Sequence, residues 1–231
     1  MIPPPYIDLD PALLRDGTEF TRLLLVRHAQ QESTPAGVMP QAWLDGELTG
    51  TGRRQAAVVA EHLAVESLAA VACSHMLRAR ATAEVIAAGH RVEPLVRPDL
   101  AEVDAYADMP ADVWPPDHVG AEVWAAAHVE FARTRRWDVY TFGETGKELR
   151  ARATAAIEDV IDRHAGQAIA VVCHGGVINA YLAQLLGIGA DMFFLPAHAS
   201  VSVVRASLDG RRVVESLNDR HHLEALDLLT Y

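Results

Sequence analysis

Three short apolar runs each end on side chains that can hold or attack an anion. Leu23-Leu24-Leu25-Val26 leads into Arg27-His28, residues 68–73 lead into Ser74 with Arg78 four residues on, and residues 168–173 lead into His174-Gly175-Gly176. Arginine presents a planar fork that binds two oxyanion oxygens at once and stays charged. A neutral imidazole can serve as a nucleophile. Two arginines and two histidines on one small patch make a phosphate site, with His28 as nucleophile and Arg27 holding the anion beside it. Singly, each has a duller reading, because a lone His or Arg at a strand end is usually a surface or structural residue. His28 and His174 stand out because each directly follows an apolar run, where a polar group needs a partner. The double glycine after His174 points to a tight turn, a close backbone approach, or both. That makes Gly175 a candidate binding residue.

These side chains meet only if the runs that carry them are neighbours. An uninterrupted apolar run this short suits a strand covered on both faces better than a helix. Strands are predicted over residues 22–27, 68–73, 91–96 and 168–173, and a final hairpin over 200–206 and 211–217 turns at Asp209-Gly210. The spacing of Ala56, Val59, Ala60 and Leu63 predicts a helix from Thr49-Gly50-Thr51-Gly52 to about Ser67. Further helices are predicted from about Met76 to Ala88 with Ser74 as N-cap, from about Lys147 to His164, and from Val177 to Leu186. This alternation predicts an α/β fold, a mainly parallel sheet with helices on both faces. The strand exits then share the carboxyl edge, where open sheets of this kind keep their ligands. Helix N-termini after Ser74 and Gly176 add backbone donors and positive dipole ends there.

The connections are less regular. Residues 1–20, with Pro3-Pro4-Pro5 and Pro11, read as an extended N-terminal arm before a single domain over 21–231. Residues 29–49 form a long loop holding Pro35, Gly37, Pro40 and Gly46. Residues 99–132 carry eight acidic side chains and no lysine or arginine. They read as part of a cap or insertion over 99–140, part loop and part helix (Val119 to about Arg135), covering the site. Its aromatics Tyr106, Trp114 and Trp124 either pack on a bound molecule or form a local core.

A formal charge of −11 on 231 residues argues against nucleic acid as a partner. It also confines any anion site to a local cationic pocket. Cys73 and Cys173 both end apolar runs and read as reduced core thiols rather than a disulfide or metal pair. No apolar run approaches the roughly 20 residues of a membrane helix. The segment Met1 to Asp10 lacks a basic start and an apolar core, so it is not read as a secretory signal. The expectation is a cytoplasmic protein with no membrane partner. The proline-rich arm is compatible with a homodimer.

Leu25-Val26-Arg27-His28-Ala29 resembles the Leu-x-Arg-His-Gly signature of the histidine phosphatase superfamily, also called the phosphoglycerate mutase-like family. Leu48-Thr49-x-x-Gly52-x-x-Gln55-Ala56 is similar to its first-helix start, and Cys73-Ser74-x-x-Leu77-Arg78-Ala79-x-Ala81-Thr82-Ala83 to its Ser-x-x-x-Arg-Ala-x-Gln-Thr-Ala segment. Leu100-Ala101-Glu102, Gly143-Glu144-Thr145 with Arg152, Val171-Val172-Cys173-His174-Gly175-Gly176, and Asn218-Asp219 with His222-Leu223 resemble its later motifs in order. The resemblance implies a phosphoglycerate mutase-like three-layer α/β/α sandwich. It also implies that His28 becomes a phosphohistidine while Arg27, Arg78 and His174 grip the oxygens, and that Glu102 protonates the leaving oxygen before activating water. On this reading no metal or other cofactor is required. The sequence departs from the family pattern at Ala29 for glycine, Gln30 for an acid, His75 for proline and Ala81 for glutamine. Thr34 stands where an asparagine often touches the phosphate. Asp104, two residues after Glu102, is the rival proton donor.

The resemblance implies a small phosphorylated substrate and, first, a phosphomonoesterase. A phosphoglycerate mutase-type phosphotransferase and a non-catalytic phosphate-binding module are the alternatives. A mutase needs basic residues over its site. Here Arg133, Arg135 and Arg136 are the nearest after the acidic stretch, and a solvated helix face is the plainer place for them. An acidic cap disfavours a bisphosphate and suits a monoester with a neutral or cationic remainder.

Overall fold

Leu23, Leu24, Leu25 and Val26 are all at most 2% exposed, as a strand covered on both faces must be. Burying each such side chain stabilises the fold by about 1.5–3 kcal/mol. The computed structural model describes residues 9–10, 12–15, 17–33, 45–110 and 113–231. In it these residues form the middle of β1 (Phe20–Arg27), followed by α1 (Gly50–Leu63), β2 (Leu68–Ser74), α2 (Leu77–His90) and β3 (Leu95–Arg97). The stretch expected as an insertion carries α3 (Pro115–Val119) and α4 (Ala121–Thr134) and leads to α5 (Gly146–Arg163), β4 (Ala168–Cys173) and α6 (Gly175–Leu186). The chain ends in β5 (Val201–Ser207), β6 (Arg212–Asp219) and α7 (His221–Glu224).

The six strands lie in the order β3-β2-β4-β1-β5-β6. β1, β2, β3 and β4 are mutually parallel, whereas β5 runs antiparallel to β1 and β6 antiparallel to β5. Strand alternation splits the core in two. Leu23 and Leu25 pack with Leu149, Ile157 and Ile178 of α5 and α6, while Leu24 and Val26 pack with Ala56, Val59, Ala83 and Ile86 of α1 and α2. The sheet is therefore sandwiched between helical layers, as the pattern predicted. Among the described residues, no helix is long and apolar enough to cross a membrane.

The strands and helices that carry the candidate residues fall where they were predicted, within a few residues. Three differences have local causes. The predicted strand 91–96 shrinks to Leu95–Arg97, because α2 runs on to His90 and Arg91 closes it in a left-handed conformation (φ 58°). The helix expected from Val119 to about Arg135 is α4, and a short helix that was not expected, α3, opened by Pro115-Pro116, precedes it across Gly120 (φ 91°). The described part of the arm turns instead of running extended: Arg15 N donates to Asp10 O at 2.8 Å, and Leu14 is buried.

Candidate active site

Parallel pairing puts the three chemical exits side by side. Arg27 pairs with Cys173 across β1 and β4, and Cys73 with Val172 across β2 and β4. The next residue in each strand direction therefore emerges at one edge: His28 after β1, His174 after β4, and Ser74 as the last residue of β2. Ser74 does not cap α2. Its hydroxyl accepts from Met76 N at 3.3 Å, and the N–H of Leu77, the first residue of α2, donates to the Asp45 carboxylate at 2.5 Å. At the second position of α2, Arg78 reaches back over His28.

The protonation of His28 follows from its neighbours. Nδ1 lies 2.8 Å from Ala29 O, which can only accept, and Nε2 lies 3.2 Å from Arg78 Nε, which can only donate. The ring is thus the Nδ1–H tautomer with its lone pair on Nε2. Burial holds the pKa of His28 well below the ordinary histidine value, and His174, Arg78 and Arg27 add to the shift. The backbone behind the ring is pinned as well: His28 N donates to Cys173 O at 2.9 Å, and Ala29 N to the Thr82 hydroxyl at 3.0 Å.

Around Nε2 stand donors with capacity to spare. The His174 ring centre is 5.0 Å from that of His28, and both its ring nitrogens are buried without a hydrogen-bond partner. Buried, and close to Arg78 and Arg27, it too is held well below the ordinary histidine value. Arg27 donates through its two terminal nitrogens, to Pro196 O and to His198 Nε2 (3.1 Å), while its buried Nε has no partner. Buried polar atoms left unpaired in a folded protein need an explanation. Arg27 Nε and the single N–H of neutral His174, beside the His28 ring, are two unpaired donors that an anion with several oxygens would satisfy.

Glu102 approaches from the other side. Its two carboxylate oxygens accept from Gly176 N at 3.1 and 3.2 Å, on the first turn of α6, and one of them from Val103 N at 3.0 Å. A Cβ at position 176 would lie 2.4 Å from Glu102 Oε1, so the close approach that the double glycine announced falls at Gly176 and is to this carboxylate. Gly175, the first residue of α6, meets nothing closer than 4.0 Å. Arg152 fixes the loop that bears Glu102. It donates to Asp99 O and Ala101 O, each at 2.9 Å, and grips Glu144 bidentately at 2.8 and 2.6 Å. The field of Glu102 reaches both Arg27 and Arg78, where it opposes the lowering of their pKa by burial; Arg27 is lowered to about 10. Asp104 is exposed and its carboxylate accepts from Tyr106 N at 3.1 Å, within its own loop. Thr34 lies outside the described residues.

Beside Glu102 is a cleft of about 560 Å³ lined by Asp104, Asp108, Glu144, Glu148 and Arg152. Arg133 pairs with Glu130 and Arg136 with Asp138, all of them exposed or nearly so, and Arg135 is an exposed helix cap. Tyr106 and Trp124 stack with Phe142 at 6.5 and 5.9 Å, in a cluster that also holds Met109, Phe131, Trp137 and Tyr140. These aromatics are the insertion's own core. Cys73 and Cys173 are free and buried, and burial raises both thiol pKa values, Cys73 to about 11.

Sequence reasoning missed His198, Asp45 and the role of Thr82. His198 and Asp45 lie in loops with no apolar run or motif to mark them, and their partners are distant in sequence. Thr82 stands within a motif, yet its bond to Ala29 spans 53 residues.

The sequence profile of the histidine phosphatase superfamily (branch 1) matches residues 23–220. A metal-independent phosphoserine phosphatase of Arabidopsis thaliana is 29% identical over 92% of this chain and 87% of its own length. Phosphoglycerate mutase-like protein 4 of the same plant is 31% identical over 93% and 92%. The solved structure of Bacillus stearothermophilus YhfR superposes with a TM-score of 0.71 at 24% identity, covering 88% of this chain and all (100%) of that one.

Proposed function

This chain belongs to the histidine phosphatase superfamily, and we propose that it hydrolyses small phosphomonoesters through a phosphohistidine on His28. The observation that carries this reading is the forced tautomer of His28, which leaves the Nε2 lone pair among Arg27, Arg78 and His174. In the first step Nε2 forms a bond to phosphorus as the ester P–O bond breaks. Protonated Glu102 gives its proton to the departing oxygen. Arg27, Arg78 and His174 hold the three remaining oxygens and offset their charge, with Thr34 and Gly175 as further contacts. In the second step the Glu102 carboxylate takes a proton from water, whose oxygen bonds to phosphorus as the P–N bond breaks. Phosphate leaves and the lone pair returns to Nε2. Glu102 is preferred to Asp104 because its carboxylate accepts from Gly176 N at the start of α6, two residues after His174, and acts on both arginines.

The insertion acts as a cap that selects what is attached to the phosphate. Its cleft presents Asp104, Asp108, Glu144 and Glu148, while the guanidinium of Arg152 is already taken by Glu144. Such a lining repels a second phosphate and attracts an ammonium group. A relative named for phosphoserine, whose remainder bears an amine, supports that class. The test is phosphate release from a panel holding p-nitrophenyl phosphate, phosphoserine and the phosphoglycerates. His28→Ala is expected to lower kcat by about 10⁴-fold or more on all of them. Unchanged release by that variant would remove the nucleophile. Interconversion of the phosphoglycerates without release would make the protein a mutase.

A further inference from the structure

The arginines of this protein are held in two ways. Arg152 and Arg97 are locked by carboxylates, Glu144 for one and Asp99 and Asp159 for the other. Arg27 is held at its tip by two acceptors that carry no charge, the Pro196 carbonyl and the His198 imidazole. A carboxylate there would anchor the side chain equally well and cancel the charge that an anion needs. A neutral acceptor orients the guanidinium and leaves its field intact.

His198 is itself over-determined. A guanidinium cannot accept, so His198 Nε2 must, and the ring proton sits on Nδ1. Nδ1 lies 2.9 Å from the Thr230 hydroxyl oxygen, and the backbone N–H of His198 donates to Thr230 O at 3.0 Å. The same hydroxyl oxygen accepts from Gln55 Nε2 at 2.8 Å. Fully buried Gln55 donates also to Leu228 O at 2.7 Å and accepts from Gln30 N at 2.8 Å. The chain of bonds thus starts at Arg27, passes through His198, Thr230 and Gln55, and returns to Gln30, two residues beyond His28. It clasps the Arg27–His28 corner from both sides.

We propose that His198, oriented by Thr230 and Gln55, is the positioning residue for Arg27, an uncharged acceptor that aims the buried Nε edge of the guanidinium at the phosphate. This rests on the reading of Arg27 as a phosphate ligand, and the test separates the two. Steady-state kinetics on p-nitrophenyl phosphate and inhibition by inorganic phosphate are measured for Arg27→Ala, His198→Leu, His198→Asn, Thr230→Val and the double variant Arg27→Ala/His198→Leu. His198→Leu is expected to lose about 10- to 100-fold in kcat/KM and to bind inorganic phosphate correspondingly more weakly. Asparagine can accept from Arg27 and donate to Thr230 without charge, so His198→Asn stays within about 3-fold of the wild type. Thr230→Val, which removes only a hydroxyl, loses about 3- to 10-fold. In the Arg27→Ala background, His198→Leu costs less than about 2-fold more, because the two residues act as one unit. If Arg27→Ala is itself harmless, the reading of Arg27 as a phosphate ligand falls. If it is harmful but His198→Leu multiplies its loss in full, or leucine serves as well as asparagine, the positioning role falls. Should His198→Leu fail to fold, Thr230→Val is compared in the presence and absence of Arg27, and independent effects overturn the proposal.

Discussion

The sheet edge and the insertion meet at Glu102, and they are built on opposite plans. At the edge, position comes from the backbone. Parallel register sets His28, Ser74 and His174 in a row, and side chains there are buried, neutral or cationic, with donors left unpaired. In the insertion, position comes from side chains. Short helices and turns are tied by an aromatic cluster and by carboxylates that face solvent or one another. The first plan suits chemistry that must not vary, since register is all-or-none. The second suits selection, since an exposed acid can change without disturbing the sheet.

The sharpest test of this division is at the junction itself. If Glu102 serves the chemistry and not the cleft, Glu102→Gln should lower kcat by about 10²- to 10⁴-fold on an alkyl phosphate, whose leaving oxygen needs a proton. On p-nitrophenyl phosphate, whose leaving group departs as a stable anion, the loss in forming the phosphohistidine is much smaller, and the enzyme accumulates that intermediate. A burst of nitrophenol followed by slow turnover is the expected trace. Equal losses in the phosphohistidine-forming step on both esters, with no burst, would remove Glu102 as the proton donor, and a loss on neither would place it with the selecting acids.

The same division explains what could be read from the sequence. Arg27-His28 and His174-Gly175 were legible because each follows an uninterrupted buried strand, and a parallel sheet leaves few places for their side chains to go. The order of the motifs did the rest. The insertion was legible only as composition. Its acids could be counted, but no local rule told that Arg152 would spend its fork on Glu144, or that a short helix would precede Gly120. His198 was invisible because its role depends on Thr230, 32 residues later, and on a tautomer forced by Arg27.

The two regions should also answer acid differently. His28 and His174 are held neutral well below the ordinary histidine value, and burial and the neighbouring Arg27 lower His198 to about 3. The unfolded chain takes up a proton at each near pH 6.5 while the native state does not. Stability is therefore full above that pH and falls as the pH drops through and below it, by about 1.4 kcal/mol per unit for each histidine. The histidines of the insertion, His118 and His128, are exposed. Urea unfolding at pH 7, 6 and 5 should show this slope, and His198→Asn should reduce it by one proton's worth. A slope that the substitution leaves unchanged would mean that His198 is protonated in the native state.

The smallest effect expected is the one that isolates selection. Asp104 and Asp108 are exposed and line the cleft. Asp104 serves its loop as an acceptor for Tyr106 N, a bond that asparagine can also accept. The double variant Asp104→Asn/Asp108→Asn therefore removes charge and little else. Exposed charges at these distances are worth about 0.5–1 kcal/mol in all. KM for phosphoserine should rise about 2- to 5-fold, and KM for a phosphoglycerate should fall by a similar factor. Neither kcat nor any constant for p-nitrophenyl phosphate should move, because the sheet edge is untouched. The shift should fade on raising the salt from 0.05 to 0.5 M, since the screening length between exposed charges falls from about 14 Å to about 4 Å. A change in kcat with the same salt dependence would show that these acids act on the reacting phosphate itself, and the boundary between the two regions would then lie farther out than Glu102.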